Sequence, residues 1–222
     1  MRLALAGLAA CALASCASTP QPRDRYERLL TPTAKPSKVI ATELAFARAA
    51  QEDGQWTAFR EYAAPGALLF GQNGAIEAAP WLREQEDPPA AVAWEPYRVW
   101  SSCDGSLAVT QGGFREPEGQ VGTFNTVWQR QRDGDYEYVF DFGVPQATAP
   151  EKPDAISAAT ADCNPPAESA AELPADARFS SDRTLAWRFE LTGQGTRTYE
   201  VWLAGPGGYE QVVDIDVPPT AR

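Results

Sequence analysis

Hydrophobic residues recur along the chain at two different spacings, and the change between them divides it into a helical part and a strand-rich part. Over residues 38–50 they recur every three or four positions, which predicts a helix. Further helices are predicted over residues 56–62 and 79–85, with a short strand over 68–70 between them.

From residue 94 onward the spacing becomes two, as in half-buried strands. Strands are predicted over 94–102, 106–114, 122–130 and 136–142, with turns containing Asp-Gly or Pro-Glu-Gly between them. Helices followed by such a meander predict an α+β domain, a curved antiparallel sheet with its helices on one face.

The remaining residues predict a linker and a β-rich C-terminal extension. Ala, Pro, Glu and Asp dominate residues 146–176, which therefore have too little apolar content to pack as a domain. Residues 177–222 predict three antiparallel strands, over 185–191, 197–203 and 209–217. Without a helix these strands cannot bury their own apolar face, so we expect them to dock on the first domain or on a partner.

The extension partly repeats the end of the first domain. Residues 180–186 (SSDRTLA) are similar to 101–108 (SSCDGSLA), and 209–214 (YEQVVD) to 136–141 (YEYVFD). Two explanations remain open at this point. A meander was duplicated, or two amphipathic hairpins use the same favoured residues.

Residues 37–145 resemble the nuclear transport factor 2-like superfamily, in its ketosteroid isomerase and polyketide cyclase-like branch. The similar residues are 43–50 (ELAFARAA), 112–114 (GGF), 122–124 (GTF), 127–131 (VWQRQ) and 136–143 (YEYVFDFG). The resemblance implies a cone whose sheet wraps a long helix and leaves an apolar pocket at its open end. Isomerases, dehydratases, cyclases and non-enzymes share this fold, so the fold alone does not define an activity.

Residues 1–15 have the features of an export signal. Arg2 precedes an apolar run over 3–13, which is too short to remain as a membrane span. Residues 13–16 (LASC) resemble the lipobox of bacterial lipoproteins, which implies cleavage before Cys16 and lipid attachment to that cysteine. A competing box ends at Cys11 but leaves a shorter apolar run. We expect a cell-envelope protein, anchored in the outer membrane and facing the periplasm, with residues 16–36 as a flexible tether.

Composition excludes several function classes. The chain has no histidine, which removes His-based triads and His metal sites, and we predict neither a metal nor a cofactor. The net charge of −11 and the lack of a basic cluster make nucleic acid an unlikely partner class. Cys103 and Cys163 remain as a potential pair in an oxidising compartment, with two unpaired thiols as the alternative.

Candidate site residues come from the predicted cone. The catalytic candidates are Asp141, Glu137 and Tyr62, because related enzymes use a carboxylate with a Tyr or a protonated Asp as hydrogen-bond donor. Strict strand alternation places Asp141 and Glu137 opposite Tyr138 and Phe140, so we expect Asp141 to lie outside the cone in a structural role. The candidates for lining an apolar pocket are Phe59, Phe70, Trp94, Trp128, Tyr138 and Phe140.

These observations favour a non-catalytic lipoprotein that binds an apolar small molecule or an envelope protein. The alternatives are a small isomerase- or cyclase-type enzyme and a structural envelope protein, and the oligomeric state stays open. A dry apolar cone favours the binder, a charged and Tyr-lined cone the enzyme, and a cone filled by the extension the interaction protein.

Overall fold

A computed structural model describes residues 33–165 and 173–219 of this chain. The lipobox cysteine Cys16 and the predicted signal lie outside the described residues, as does most of the predicted tether. The helical part consists of α1, α2, β1, β2 and α3, which span Pro36–Glu52, Gln55–Tyr62, Ala63–Gly71, Gly74–Glu77 and Ala78–Leu82. Within these described ranges, no helix is long and apolar enough to cross a bilayer.

The predicted meander is present and belongs to a larger sheet. Its strands β3, β4, β5 and β6 span Ala93–Ser101, Leu107–Arg115, Val121–Arg130 and Tyr136–Gln146. The seven-stranded sheet also includes β7, Ser157–Thr160, and has the order β2-β1-β6-β5-β4-β3-β7. It is mostly antiparallel, but β1 runs parallel to β6 and β7 runs parallel to β3. The α+β fold with a curved sheet against N-terminal helices is therefore confirmed.

The interval predicted to be only a linker contributes a strand of its own. Strand β7, Ser157–Thr160, pairs with β3, and Ala161 after it is buried. All four of its side chains are exposed, so the alternation of buried and exposed residues that predicts a strand is missing here. It is held instead by backbone pairing to a sheet edge.

The C-terminal extension forms a second sheet of four strands, not the three that were predicted. Strands β8, β9, β10 and β11 span Arg178–Phe179, Leu185–Leu191, Arg197–Gly205 and Gly208–Val217, and pair in the order β11-β10-β9-β8. The additional strand β8 is only two residues long, which is too short to be recognised from periodicity.

The first sheet buries both of its faces. One face packs on α1, with Val39, Phe46, Trp128 and Tyr138 in a common core. The opposite face packs on the second sheet, in a core that includes Phe70, Phe140, Phe142, Trp187 and Tyr199. The rings of Phe140 and Tyr199 stack with centroids 5.4 Å apart. The expected docking of the extension thus takes place on the face away from the helices.

A β-bulge decides which side chains of β6 face the helices. Val127 pairs with Phe140 and Trp128 pairs with Tyr138, so Val139 is an extra residue without a partner. Tyr138 and Asp141 therefore lie on the helix side, while Phe140 lies against the second sheet. The expectation that Asp141 lies outside the cone is wrong, because it assumed strict alternation through the bulge.

The same bulge occurs in the second sheet. Val201 pairs with Val213 and Trp202 pairs with Gln211, which leaves Val212 without a partner at the position that corresponds to Val139. The remaining registers also correspond across the two sheets. The pair Thr110–Thr126 of the first sheet corresponds to the pair Arg188–Glu200 of the second.

The loops before β4 and β9 share their hydrogen bonds. The Ser102 hydroxyl donates to Asp104 and accepts from the Leu107 amide, over 2.8 and 3.1 Å. The Ser180 hydroxyl likewise donates to Asp182 over 2.7 Å and accepts from the Leu185 amide over 3.0 Å.

A tyrosine closes each loop in the same way. Tyr136 donates its hydroxyl hydrogen to the carbonyl of Gly105, and Tyr209 donates to the carbonyl of Arg183. Gly105 and Arg183 are both left-handed, with φ of 66° and 58°. Favoured strand residues do not by themselves reproduce a bulge, a register and a loop, so these matches indicate a duplicated meander.

The two loops also bind each other reciprocally. The Cys103 amide donates to the Thr184 hydroxyl over 2.8 Å, and the Ser181 amide donates to the Ser106 hydroxyl over 2.9 Å. Cys103 corresponds to Ser181 and Ser106 to Thr184, so the contact has the symmetry of an isologous interface. Next to it, Cys103 forms a disulfide with Cys163, with Cα atoms 5.2 Å apart, as the pairing hypothesis predicted.

Candidate functional site

A cavity of about 300 Å³ lies between the helices and the concave face of the first sheet. Its walls are predominantly aromatic, because α1, α2 and α3 each direct rings toward the sheet. Eight aromatic residues line it: Phe46, Trp56, Phe59, Phe70, Trp81, Trp94, Phe114 and Phe124. The ring of Phe70 packs against the second sheet, so the other seven supply the rings of the wall. Ligand sites typically combine such apolar walls with a few polar groups.

Asp141 is the carboxyl group placed among these rings. It is half-buried, and its Oδ2 accepts a hydrogen bond from the Thr126 hydroxyl over 2.8 Å. Burial raises the pKa of Asp141 from 3.8 to about 7; the Thr126 hydrogen bond opposes this rise and the charge of Glu43 adds to it. Asp141 can therefore hold or release a proton near neutral pH.

Glu43 is a second carboxyl group, fully buried behind the cavity wall. Trp94 donates its indole hydrogen to Oε1 over 2.8 Å, while Thr110 and Trp128 donate to Oε2 over 2.5 and 3.0 Å. Burial raises the pKa of Glu43, and these three hydrogen bonds oppose the rise because they favour the ionised form. Glu43 thus fixes the orientation of Trp94, a residue of the wall.

Asp87 positions helix α2 and the two rings that this helix contributes. Its carboxylate accepts hydrogen bonds from the Trp56 and Thr57 amides over 2.6 and 3.0 Å, so it caps a helix distant in sequence. The hydrogen bond from the Thr57 hydroxyl is the main reason that the pKa of Asp87 is lowered. Gly54 allows this approach, because a Cβ there would lie 2.4 Å from Cγ of Asp87.

The structure brings together only part of the predicted site. Phe59, Phe70, Trp94 and Asp141 line the cavity. Trp128 is buried behind the wall, where it donates to Glu43. Phe140 is turned away from the cavity and packs on the second sheet, which corrects its assignment as a ligand-binding residue.

The remaining tyrosine and carboxylate candidates, Tyr62, Glu137 and Tyr138, do not line the cavity. Tyr138 donates its hydroxyl to the Phe59 carbonyl over 2.9 Å and is buried in the helix-side core. Neither Tyr62 nor Glu137 is among the lining residues. The carboxylate–Tyr pair expected of an enzyme is therefore not assembled around this cavity in the part of the chain that the structure describes.

Sequence reasoning missed Glu43 as a functional residue, although its pattern contained a signal. Glu43 stands in the buried stripe of α1 with Val39, Phe46 and Ala50, at spacings of four, three and four residues. A carboxylate in an apolar helical stripe is rarely buried without partners, so it indicates a polar network in the core. The Trp and Thr donors of that network lie on separate strands and could not be identified from spacing.

Within residues 33–165 and 173–219, no group of three or more His, Cys, Asp and Glu side chains is arranged to hold a metal ion. No protein-family model matches the chain, and no curated protein matches it in sequence. Two similar solved structures are nuclear transport factor 2 from Cryptosporidium parvum and a protein of unknown function with a cystatin-like fold from Methylobium petroleophilum PM1.

The first of these shares 14% identity over 51% of this chain and 98% of its own, with a TM-score of 0.38. The second shares 11% identity over 56% of this chain and 86% of its own, with a TM-score of 0.38. Both similarities are confined to about half of the chain. The account of the site therefore rests on the geometry of this protein.

Proposed function

We propose that this protein is a membrane-anchored envelope lipoprotein whose cone binds an apolar small molecule. The observation that carries the binding part is the cavity of about 300 Å³ with predominantly aromatic walls and two half-buried acidic residues, Asp141 and Glu116. Binding is favourable when an apolar ligand replaces water at an apolar cavity wall, because both apolar surfaces leave water. The second sheet packs on the opposite face, which leaves the cavity free of the C-terminal extension.

The binding proposal is testable on protein purified from the envelope. We expect native mass spectrometry to detect a bound small molecule, and Leu69→Trp, which fills the cavity wall, to abolish it. Leu44→Trp is the matched control, because Leu44 is 40% exposed on α1. Equal ligand occupancy in the wild type and the Leu69→Trp variant contradicts the proposal, as does a wild type that carries no ligand and binds none of a panel of apolar compounds.

A second candidate function is proton transfer to a bound substrate. A specific observation favours it: the pKa of Asp141 is raised to about 7, where a general acid or base works best. The absence of a tyrosine hydroxyl among the lining residues that the structure describes is the reason to rank it second. If a substrate is found, loss of turnover in Asp141→Asn with retained ligand affinity supports this alternative.

The membrane anchor belongs to the same proposal and rests on the lipobox at residues 13–16. Acylation of a cysteine and of a new amino terminus provides enough chains for stable anchoring. We expect Cys16→Ser to move the protein from the outer-membrane fraction to the soluble periplasmic fraction, or to leave it unprocessed. Cys11→Ser, at the competing box, is the matched control and should fractionate like the wild type. If both variants fractionate identically, the anchor proposal is wrong.

A further inference from the structure

The cavity has a definite electrostatic character as well as an apolar wall. Eight aromatic residues, Asp141 and Glu116 line it, and none of the lining residues in the described ranges is Lys or Arg. The face of an aromatic ring is the negative part of its quadrupole, so it attracts cations. Rings and carboxylates thus favour positive charge at the same place, whereas an anionic ligand would meet no compensating group there.

Trp94 strengthens this preference through the residue behind it. Its indole N–H donates to the buried Glu43, and such a hydrogen bond polarises the indole ring toward greater electron density. Trp is already the ring that binds cations most strongly. The ring of Trp94 lies 4.9 Å from that of Phe46 and 6.1 Å from that of Phe59, so these three form one continuous aromatic wall.

The two carboxyl groups near this wall also repel each other. The charge of Glu43 contributes to the raised pKa of Asp141, so the second negative charge is unfavourable without a nearby cation. The Oδ2 atom of Asp141 is used by Thr126, while Oδ1 accepts no hydrogen bond from any residue in the described ranges. That oxygen is free to face a ligand.

We propose that the cavity binds a ligand with an ammonium group, either protonated or quaternary, held against the aromatic wall and the carboxylate of Asp141. This inference rests on the proposed binding function and names the chemical class of its ligand. The rest of the ligand is apolar, because the lining offers few other polar groups, chiefly Gln55 and Glu116.

The proposal predicts that the affinity for a cation changes with pH, and the charged and titratable groups around Asp141 determine how. Glu43 approaches it from α1, Tyr138 lies on the same strand, and Glu116 lies at the cavity; Tyr199 packs on the opposite face of the sheet, where the charge of Asp141 still acts on it. Burial raises the pKa of both tyrosines above the ordinary value for a phenol, so they stay neutral near pH 7. Among the cavity-lining residues, Asp141 has a pKa raised to about 7, and its ionisation there changes the affinity for a cation.

The experiment compares two probes of nearly equal shape on the full chain. Benzyltrimethylammonium carries a permanent charge, and neopentylbenzene replaces its nitrogen with carbon. Quenching or shift of tryptophan emission reports binding, because Trp56, Trp81 and Trp94 line the cavity. We expect the charged probe to bind about tenfold more tightly than the neutral one. We also expect its affinity to rise as the pH passes through about 7, the pKa of Asp141.

Variants separate the carboxylate from general effects of charge. Asp141→Asn should lower the affinity for benzyltrimethylammonium about tenfold and remove its pH dependence, with little effect on neopentylbenzene. The matched control is Asp214→Asn, at the corresponding and exposed position of the second sheet, which should change neither affinity.

Each failure has a distinct meaning. If neopentylbenzene binds as tightly as benzyltrimethylammonium at every pH, the ammonium inference is wrong and the proposed binding function stands. If neither probe nor any other apolar compound binds, the proposed function fails with it. If Asp141→Asn leaves the affinity for the charged probe unchanged, the assignment of Asp141 is wrong.

Discussion

The two meanders of this protein share a backbone and differ in the side chains on one face. In both, four strands pair in sequence order, and the last strand has a bulge at the same position. In both, a tyrosine hydroxyl donates a hydrogen bond to the carbonyl of a residue with a left-handed backbone conformation. In the first, Thr110, Thr126 and Asp141 stand side by side on the face toward the helices. In the second, the corresponding residues are Arg188, Glu200 and Asp214.

The difference shows what each face requires. The first meander covers its concave face with α1 and a cavity, so burial raises the pKa of Asp141 there. In the part of the chain that the structure describes, no helix packs on the corresponding face of the second meander, and Arg188 there donates hydrogen bonds to Glu200 and Asp176. Backbone registers and loop bonds preserve the fold, while the residues of one face decide whether it can hold a ligand.

Removing the second meander is the most severe test of the comparison. Deleting residues 176–222 exposes the buried face that includes Phe70, Phe140 and Phe142. Each such side chain contributes about 2 kcal/mol when buried. We therefore expect a lower melting temperature and aggregation, measured by calorimetry and light scattering. If the truncated chain stays monomeric and melts like the full protein, the first meander does not need the second one for its stability, and the prediction is wrong.

The disulfide is present beside the loop of only one meander, since Ser181 occupies the position of Cys103 in the other. The bridge closes a separation of 60 residues. In the chain-entropy model such a loop stabilises the folded state by about 4 kcal/mol. We expect the Cys103→Ser, Cys163→Ser double variant to lose about this much in denaturant unfolding. The reduced wild type should behave like the double variant, and an unchanged midpoint in both excludes a stabilising bridge.

Asp141 should link the stability of the first meander to pH, because burial raises its pKa. A raised pKa means that the folded state holds its proton longer, so the stability tied to Asp141 is complete below pH 3.8 and is lost as the pH rises through about 7. Asp141→Asn should therefore gain about 1–3 kcal/mol over the wild type at pH 8, and little at pH 3. Asp214→Asn, at the exposed corresponding position of the second meander, is the control for removing a negative charge. Parallel pH profiles of the wild type and Asp141→Asn contradict the burial of that charge.

The two tyrosines that close the loops provide a matched pair. Tyr136 is 4% exposed and donates over 2.6 Å, whereas Tyr209 is only half-buried. Leaving a buried carbonyl without its donor costs about 1–2 kcal/mol, and water can replace a donor that is more exposed. We expect Tyr136→Phe to be the more destabilising variant in urea unfolding. A larger loss from Tyr209→Phe would mean that the two loops are not equivalent.

The smallest effect concerns the left-handed residue of each loop. Arg183 adopts a φ of 58°, which costs a residue with a side chain about 1 kcal/mol relative to Gly. Arg183→Gly loses a contact over the Phe179 ring at 3.8 Å, so we expect a net gain of only about 0.5 kcal/mol. Gly105→Ala should be destabilising, because a Cβ there lies 2.9 Å from Cα of Ala34. If both variants change the free energy of unfolding in the same direction, Gly105 and Arg183 do not have equivalent roles in the two loops.

Most helices and strands could be predicted from the sequence, because hydrophobic periodicity is a local property. Spacing predicted α1, the strands β3 to β6 and the strands β9 to β11, and the remaining cysteines indicated their pairing. It also indicated that an apolar sheet without a helix must dock. Similar residues around Asp104 and Asp182, and around Tyr136 and Tyr209, pointed to a repeat but could not distinguish it from convergence.

The residues of the site could not be predicted in the same way, because the strand register determines which side chains share a face of the sheet. The bulge at Val139 carries no hydrophobic signal, yet it turns Asp141 into the cavity and Phe140 toward the second sheet. Glu43 acquires its role from Trp94, Thr110 and Trp128, which reach it from three separate strands. Such contacts join residues far apart in sequence, and the packing that creates them also sets the pKa of Asp141.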